Sequence, residues 1–429
     1  MSELSYLEKL LDGVEVEWKS LGEIATKIYS GGTPDTKRIE YWENGTIPWM
    51  SSGEVNLKNI ERTEKYITEA GLNNSSAKLV PRNSVVIALA GQGKTRGKVA
   101  RIRIALATNQ SLAALTFDEK KFSSDYVFHF LETQYESLRQ ISSGNSGRGG
   151  LNLQMISAYK IPIPCPDNPE KSLAIQSEIV RILDKFTALT AELTAELNMR
   201  KKQYNYYRDQ LLSFDEEQEK PIYLEKLLDG VKVEWKTLEK VLKRTKGTKI
   251  TAGQMKALHK DNAPLKIFAG GKTVAFVDFK DIPEKDINRE PSIIVKSRGI
   301  IEFEYYDKPF SHKNEMWSYH SNNDAISIKY IYYFLKINEG YFQKIGGKMQ
   351  MPQIATPDTD KFEVPIPCPD NPEKSLAIQS EIVRILDKFD TLTNSITEGL
   401  PREIELRQKQ YEYYRDLLFS FPKPDSVTN

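Results

Sequence analysis

Apolar positions in residues 170–212 follow a helical period. The positions along one face of this helix are spaced alternately four and three residues apart, from Ile179 through Leu183 and Phe186 to Leu211. This heptad pattern, sustained over more than four heptads, predicts one amphipathic helix roughly 60 Å long at about 1.5 Å per residue. The Pro-Asp-Asn-Pro sequence at 166–169 predicts its N-terminus, because Asp or Asn caps a helix and proline fits its first turn.

Three blocks of the chain recur in the same order. The pairs are 6–21 with 223–238, 162–186 with 365–389, and 200–214 with 407–421. The first pair differs at two positions, and the second pair is identical. The chain is therefore a tandem duplication, and each module holds a short shared segment, a variable stretch (22–160 or 239–363) and a shared helical stretch.

The second helical stretch departs from the first in one place. The interval from Phe389 to Arg407 is four residues longer than that from Phe186 to Arg200, and it contains Gly399-Leu400-Pro401. We expect a stutter, kink or short break there. A line, or seam, of apolar residues like that of residues 179–211 is also compatible with a helical hairpin buried in an ordinary core. Two near-identical helices separated by a whole domain favour helices that pack on each other.

The variable stretches share a layout despite little sequence identity. Residues 124–163 and 328–366 each predict an aromatic amphipathic helix, a glycine-rich loop, a short polar segment and a strand leading into Pro-Ile-Pro. Upstream, strand-like runs are bounded by Gly, Pro and Asn; they are 84–90, 99–106, 273–277 and 292–295. We predict an α+β chain in which two mixed α/β domains are joined by two long helices, forming an antiparallel coiled coil with pseudo-two-fold symmetry.

Composition narrows the class of protein. With 429 residues, 39% hydrophobic and 28% charged, the chain is typical of a globular protein with more than one core. Its two cysteines, Cys165 and Cys368, occupy equivalent repeat positions, which argues against a disulfide framework or a zinc site. No apolar run approaches the ~20 residues needed to span a bilayer, and no signal peptide is evident, so we expect a cytoplasmic protein. The net charge of +1 does not decide for or against nucleic acid.

Catalytic motifs are missing from the sequence. Residues 88–95 loosely fit a phosphate-binding loop, but 96–106 alternate like a strand where that loop needs a helix. Neither an Asn-Pro-Pro-aromatic methyltransferase signature nor a Gly-x-Gly-x-x-Gly motif is present. The four histidines show no metal-ligand spacing and no partners for a nucleophilic triad. We therefore expect no catalytic site and no metal site.

Basic residues beside glycines are the candidate binding chemistry. Arg can bond guanine, Asn and Gln can bond adenine, Lys can neutralise phosphate, and Gly lets the backbone approach the duplex. The candidates in the first module are Gly31, Thr33, Lys94, Arg96, Lys98, Arg101, Asn109, Gln110 and Arg148. Those in the second module are Lys243, Arg244, Lys246, Lys249, Lys344, Lys348 and Gln350.

Two interpretations of these candidates stay open. Any single basic residue is equally compatible with a solvated loop, and the segments 31–34 and 109–111 equally with loop shaping. As sets at equivalent places in both modules, the clusters favour contact with DNA.

The layout and several motifs resemble a known family. The motifs are Gly-Gly-Thr-Pro at 31–34, Tyr-Trp-Glu-Asn-Gly at 41–45, Ile-Pro-Trp at 47–49, and Thr-Ala-Glu-Leu repeated at 190–193 and 194–197. Together with two variable domains alternating with two duplicated helices, they resemble the specificity subunit of type I restriction–modification enzymes, most closely the IC subgroup. The resemblance covers essentially the whole chain.

The resemblance implies a non-catalytic DNA-binding subunit with four parts. These are target-recognition domain 1 (1–160), long helix 1 (161–214), target-recognition domain 2 (215–363) and long helix 2 (364–429). Each recognition domain is expected to bind one half of a bipartite asymmetric site. The helices are expected to set the spacer, through positions that include Thr190, Leu193, Thr194 and Leu197.

The resemblance also implies partners. They are double-stranded DNA, two modification (methyltransferase) subunits and ATP-driven restriction subunits, with no membrane. S-adenosylmethionine, ATP and Mg would be used by the partner subunits, and no cofactor would be bound by this chain. The alternative function is a tandem protein-interaction scaffold held by a coiled coil, and steeply salt-dependent DNA binding distinguishes the two.

Overall fold

The chain folds into two compact units. The computed structural model describes residues 6–91, 95–143, 150–214, 222–347 and 350–422. One unit comprises Met1–Leu193 with Ile404–Asn429, and the other comprises Thr194–Glu403. Each contains β-sheets and helices, which confirms the predicted α+β class with two sheet-rich domains.

The first unit contains eleven strands within the described residues. They are β1 (Val16–Ser20), β2 (Ala25–Ser30), β3 (Ile47–Met50), β4 (Asn59–Ile60), β5 (Lys65–Ile67), β6 (Leu79–Val80), β7 (Ser84–Ala88), β8 (Val99–Ile102), β9 (Leu106–Thr108), β10 (Leu112–Phe117) and β11 (Lys160–Pro164). The helices of this module are α1 (Tyr6–Leu11), α2 (Leu21–Ile24), α3 (Glu69–Asn73), α4 (Ser124–Thr133), α5 (Tyr135–Ser143), α6 (Leu153–Ala158) and α7 (Pro169–Leu212).

The second module has the same succession of elements at its beginning and end and differs in the middle. Its strands are β12 (Val233–Thr237), β13 (Lys243–Lys246), β14 (Leu265–Phe268), β15 (Val274–Val277), β16 (Ser292–Lys296), β17 (Glu302–Tyr306), β18 (Phe310–His312), β19 (Trp317–His320) and β20 (Glu363–Pro367). Its helices are α8 (Ile222–Leu228), α9 (Leu238–Val241), α10 (Ala252–Leu258), α11 (Ile328–Ile337), α12 (Glu339–Gly346), α13 (Thr356–Asp360), α14 (Pro372–Asn394) and α15 (Gly399–Leu418).

Sheet topology shows that the two variable domains have the same fold. The main sheet has the order β2-β10-β7-β8-β4 in the first unit and β13-β19-β16-β17 in the second. A smaller sheet has the order β5-β3-β9-β6 in the first unit and β15-β14-β18 in the second. The parallel pair β3–β9 corresponds to the parallel pair β14–β18. The shared fold predicted for the dissimilar variable stretches is therefore confirmed. The single aromatic helix predicted in each stretch is instead two helices, α4 and α5 or α11 and α12, and parts of the predicted glycine-rich loops, 144–149 and 348–349, lie outside the described residues.

Strand predictions were right in position but imperfect in length. The run 84–90 forms β7, whose five residues are all buried, and the run 292–295 forms β16. The run 99–106 was predicted as one strand and is divided between β8 and β9. These two strands belong to different sheets, so the chain must leave one sheet between them.

Helix α7 is continuous over 44 residues and starts at Pro169, as predicted. Its seam positions Ile179, Leu183 and Leu211 are buried, and those between them are half-buried. In the first unit Phe186 stacks on Tyr414 of α15, with ring centroids 5.2 Å apart. In the second unit Tyr207 stacks on Phe389 of α14 at 5.4 Å. The seam of α7 therefore packs on the second shared helical stretch in both units, as the heptad pattern predicted.

Each unit has a core to which shared and variable segments both contribute. In the first unit Ile179 and Leu183 of α7 lie in one core with Val85 and Tyr126 of the variable domain. In the second unit Ile382 and Leu386 of α14 lie in one core with Ile293 and Tyr330. The shared helices are thus part of each domain's core and not appendages to it.

The second helical stretch is interrupted, as its extra residues predicted. Helix α14 ends at Asn394 and α15 begins at Gly399, where the backbone is left-handed with φ of +79°. Pro401 lies in the first turn of α15, where a missing N–H breaks no intrahelical hydrogen bond. Of the alternatives, the structure therefore has a short break.

This break gives a prediction about glycine. A Cβ on Gly399 would lie 2.4 Å from the carbonyl oxygen of Thr391, in a backbone conformation that disfavours L side chains. We expect Gly399→Ala to lower the free energy of unfolding by about 1–3 kcal/mol. The matched control is Gly340→Ala, because a Cβ there meets nothing within 4 Å and the residue is helical. The control should stabilise by up to about 1 kcal/mol. Urea titration of both variants measures this, and equal effects would contradict the strained role of Gly399.

Candidate nucleic-acid interface

Three loops of the first unit leave the main sheet at the same end. Strands β2 and β7 end where β10 and β8 begin, because neighbouring strands in this sheet are antiparallel. The paired positions are Ser30 with Ala113, Ala88 with Leu112, and Ile87 with Val99. The loops 31–33, 89–98 and 109–111 are therefore neighbours. We call their described residues the first loop face.

Direct hydrogen bonds join these loops. The Thr33 hydroxyl donates to Oε1 of Gln110 at 2.7 Å, and the amide of Gly32 donates to the Thr108 carbonyl at 2.9 Å. The amide of Leu89 donates to the Ser111 carbonyl at 2.8 Å. The structure thus brings Gly31 and Thr33 together with Asn109 and Gln110, which lie far apart in the sequence of the first module.

Two of these candidates shape the loop face from within. Gly31 is buried, and a Cβ there would lie 2.0 Å from the Thr108 carbonyl oxygen. The Oδ1 atom of Asn109 accepts a hydrogen bond from the amide of Ser111 at 3.1 Å. Thr33 and Gln110 are exposed, so they are the members of this pair of segments that present polar atoms to solvent.

The loop between β7 and β8 carries the basic candidates. Gly97 has a left-handed φ of +82°, and its amide donates to the Ala88 carbonyl at 2.9 Å. Arg96 and Lys98 flank it and are half-buried, and Nζ of Lys98 donates to Oδ1 of Asn56 at 2.6 Å. A strand and not a helix follows this loop, as predicted in rejecting a phosphate-binding loop. The candidates Lys94, Arg148 and Lys348 lie outside the described residues.

Arg101 is a correction to the predicted contacts. Its side chain is 7% exposed in the buried strand β8, and its guanidinium lies over the Phe128 ring at 5.0 Å. Nη1 and Nη2 donate to Asp184 of α7 at 3.1 and 2.8 Å, and Nε donates to Asn59. A buried guanidinium requires such partners, and here they use its donors internally. We therefore remove Arg101 from the candidate DNA contacts.

The carboxylate that holds Arg101 is strongly acidic. Burial raises the pKa of Asp184, but hydrogen bonds from His129 and Arg101 outweigh it and hold the pKa well below its ordinary value. Nε2 of His129 lies 2.9 Å from Oδ1 of Asp184, and the His129 ring is almost fully buried. Asp184 is thus ionised throughout the neutral range and balances the buried cation.

The second unit has an equivalent loop face. Strands β13 and β16 end where β19 and β17 begin, so the loops 247–249, 297–301 and 313–316 leave the main sheet together. We call these loops the second loop face. Lys246 and Lys249 are exposed at this end. Exposed Lys344 lies on α12 beside it, since Nε2 of the adjacent Gln343 donates to the Ile301 carbonyl at 3.0 Å.

Gln350 also lies beside the second loop face. It is exposed and precedes Met351, whose Sδ accepts a hydrogen bond from Nε of Arg298 at 3.2 Å. The amide of Gly299 donates to the Pro352 carbonyl at 2.9 Å, which fixes the two segments together.

Lys243 and Arg244 lie elsewhere, although the sequence analysis grouped them with Lys246 and Lys249 in one candidate set. They begin strand β13, at the end opposite Lys246. Nε of Arg244 lies 3.1 Å from Oδ1 of Asp360. The four-residue strand therefore divides the predicted cluster, and only its Lys246 end adjoins the loop face.

Arg298 is a candidate that the sequence analysis missed. It is exposed in the loop between β16 and β17, next to Gly299 with φ of +80°. The corresponding loop of the first unit carries Arg96 next to Gly97. A signal was present, since Thr-Arg-Gly at 95–97 and Ser-Arg-Gly at 297–299 are similar. Its neighbour Lys296 is buried and paired with Glu302 at 2.6 Å, so it is not a surface candidate.

The spacer-helix candidates lie in the middle of α7. Thr190, Leu193 and Leu197 are half-buried seam positions, and Thr194 is exposed. The boundary between the two compact units falls between Leu193 and Thr194, which is also the boundary between the two Thr-Ala-Glu-Leu copies.

The described residues contain neither a cluster of metal ligands nor a membrane-spanning helix. Among the described residues, no group of three or more His, Cys, Asp or Glu side chains could hold a metal ion. In the same residues, no helix combines the length and apolar character needed to cross a membrane.

Comparison with known proteins identifies the family. The model of the type I restriction modification DNA specificity domain matches residues 13–200 and 232–406. The chain is 40% identical to the specificity subunit of the Escherichia coli type I restriction enzyme EcoR124I/EcoR124II, over 100% of both chains. It is 35% identical to the E. coli EcoprrI specificity subunit, over 93% of both.

A solved structure supports the fold. The S subunit of a type I restriction-modification system from M. genitalium superimposes with a TM-score of 0.59, at 15% identity, over 96% of this chain and 98% of that one. The duplicated topology, the family match over both modules and the full-length relatives agree with one another. The chain belongs to the family of type I restriction–modification DNA specificity subunits.

Proposed function

We propose that this chain is the non-catalytic DNA-reading subunit of a type I restriction–modification complex, and that each unit reads one half of a bipartite asymmetric target. The observation that carries this proposal is the pair of loop faces, which two domains of one topology present at the same end of the main sheet. Their side chains differ, so two domains of this kind suit two different half-sites.

The chemistry of the loop faces suits duplex DNA. Exposed Gln110 and Thr33 offer hydrogen-bonding atoms on the first face, and exposed Arg298 and Lys249 offer positive charge on the second. Amide side chains suit adenine edges, arginine suits guanine edges, and lysine suits phosphates. Left-handed Gly97 and Gly299 place a turn of bare backbone beside an arginine on each face.

The shared helices suit repeated partners. Because residues 162–186 recur unchanged as 365–389, the chain offers two copies of one surface, as two modification subunits require. We propose that these subunits supply the S-adenosylmethionine-dependent methylation. Restriction subunits would supply the ATP- and Mg-dependent steps, and this chain would bind no cofactor. The complex would work in the cytoplasm.

Mapping methylated adenines in the host genome, with and without this gene, tests the proposal. We expect one interrupted motif to lose methylation when the gene is deleted, and to regain it when the gene is restored. An unchanged methylation pattern would contradict a role in target recognition. Methyl transfer by the purified chain without any partner would contradict its non-catalytic role.

A pair of arginine variants separates DNA contact from folding. Arg298 is exposed, whereas Arg101 is buried and ion-paired. We expect Arg298→Ala to weaken DNA binding by about 1–3 kcal/mol at one base pair if it contacts a base, or uniformly with a shallower salt slope if it contacts phosphate. It should change the free energy of unfolding by less than about 0.5 kcal/mol. We expect Arg101→Ala to lower that free energy by about 3 kcal/mol, since it removes the guanidinium from Asp184 and leaves His129 as the remaining partner of that carboxylate.

Binding titrations at several salt concentrations and urea unfolding measure both effects. Lys201→Ala, an exposed charge loss on α7, is the matched control for net charge. Unchanged binding by both Arg298→Ala and the double variant Arg96→Ala/Lys98→Ala would remove the arginine-glycine loops from the interface.

The length of α7 gives a further prediction. A third Thr-Ala-Glu-Leu copy after Leu197 adds about 6 Å and about 40° beyond a full turn. Since one base pair rises about 3.4 Å, the spacer should lengthen by no more than about two base pairs, with both half-sites retained. Insertions of two or three residues rotate the seam by about 160° or about 60° and should damage assembly. Methylation mapping of variants with one, two and three copies measures the spacer, and an identical spacer in all three would show that the helix does not set it.

A further inference from the structure

In each module, one aspartate of the repeated helical segment binds the variable domain. Asp184 and Asp387 are equivalent residues of the identical segments 162–186 and 365–389. Asp184 accepts hydrogen bonds from Arg101, at 2.8 and 3.1 Å, and lies 2.9 Å from Nε2 of His129. Asp387 accepts hydrogen bonds from Nζ of Lys329 at 2.7 Å and from the hydroxyl of Tyr333 at 2.5 Å. Identical acceptors are thus met by different donors.

The aromatic donors hold equivalent places on equivalent helices. Tyr126 of α4 and Tyr330 of α11 donate to the carbonyls of Pro162 and Pro365, at 2.7 and 2.9 Å. Three residues after these tyrosines come His129 and Tyr333, each of which contacts the carboxylate. The cations arrive from different elements, because Arg101 lies on strand β8 and Lys329 lies on helix α11. Each aspartate is therefore contacted by one cation and one ring-bearing side chain, but the two modules supply the cation from different elements.

A second shared side chain fixes another point of the same helix. The Oε1 atoms of Gln176 and Gln379 accept hydrogen bonds from the amides of Ser123 and Ser327, both at 2.9 Å. Both glutamines are fully buried, and each Nε2 bonds a serine hydroxyl one turn earlier. From glutamine to aspartate is eight residues, or about 12 Å of helix. Contacts at two points along the helix fix the direction of its axis relative to the domain. A contact at one point would allow the helix to rotate about that point.

Directional bonds at this interface do more than an apolar contact would. Replacing a buried ion pair by well-packed hydrophobic residues commonly leaves the stability of a core unchanged or raises it. Charge-assisted hydrogen bonds add defined geometry, and burial of the Tyr333 hydroxyl beside Asp387 raises its pKa, so it remains a donor. The apolar core around Leu183 and Leu386 already supplies cohesion. The hydrogen bonds of the glutamines and aspartates are therefore suited to fixing the orientation of each domain on its helix.

We propose that Asp184 and Asp387 are positioning residues that fix the angle of each recognition domain on its long helix, and thereby the spacer length that the complex accepts. This inference rests on the proposed function. It concerns how the half-sites are spaced, and not which bases are read. Removing hydrogen bonds from either carboxylate should leave the discrimination between bases unchanged and should weaken the preference for one spacer length.

The sharpest variant is Tyr333→Phe, because it removes one hydroxyl from Asp387 and keeps the packed ring. Asp184→Asn and Asp387→Asn are the companion variants, one for each unit. The controls are Glu178→Gln and Glu381→Gln, which each remove a half-buried carboxylate from the same helices. Among the described residues these carboxylates pair with Arg181 and Arg384 at 2.7 and 2.6 Å, and Glu178 also accepts a hydrogen bond from the Tyr6 hydroxyl at 3.3 Å. Each is assembled with the modification subunits and titrated with duplexes carrying the mapped target, with the natural spacer or one base pair more or less.

We expect the wild-type complex to prefer the natural spacer strongly. Tyr333→Phe and the Asp→Asn variants should reduce that preference by about tenfold, the worth of one charge-assisted hydrogen bond. Discrimination against a changed base in either half-site should stay at the wild-type value. The two Glu→Gln controls should keep the wild-type spacer preference.

Failure of this inference is distinct from failure of the proposed function. If Tyr333→Phe and both Asp→Asn variants keep the wild-type spacer preference while the wild type binds its target, the carboxylates are merely structural and the inference is overturned. If the wild-type complex itself shows no preference for any bipartite duplex, the proposed function fails, and this inference fails with it.

Discussion

A helix of 44 residues buries only one narrow face, so its conformation depends on what covers that face. In the first unit Ile179 and Leu183 enter the core of the first variable domain, and Phe186 stacks on Tyr414. In the second unit Leu211 enters the other core, and Tyr207 stacks on Phe389. Neither the helices nor the domains have a complete apolar core without the other. This mutual burial is the constraint on which the remaining architecture depends.

The duplication shows which parts of a module that constraint fixes. Gln176 and Gln379 bond the same backbone position of their domains, and Tyr126 and Tyr330 bond the same carbonyl of the Pro-Ile-Pro strand. The strand order of the main sheet is likewise retained. By contrast, the loop from β7 to β8 is longer than the loop from β16 to β17, and their side chains differ. The loop ends of the two modules therefore differ, while the glutamine and tyrosine contacts to the shared segments are the same in both.

Most of the architecture was predictable from the sequence, because it rests on repetition and on local signals. The start of α7 follows from its Asn and Pro, and the break before Gly399 follows from four extra residues and a proline. Arg101 was misassigned because its position in an acid-free basic run says nothing of burial. Its partner Asp184 lies 83 residues away and becomes visible only in three dimensions. Arg298 was missed because a single arginine forms no cluster, although the Arg-Gly pair was repeated.

Lys98 and Arg101 lie three residues apart and have different surroundings, since one adjoins the first loop face and the other contacts the long helix. Lys98 lies where the loop enters β8, at the loop face, and its amine bonds Asn56 near solvent. Three residues further along the strand, Arg101 is inside the domain and bonds Asp184 of the long helix. About 10 Å of extended chain therefore separates the loop face from the contact between the domain and its long helix. Because the strand between them is buried and paired on both sides, a change of side chain in the loop need not disturb the docking contact.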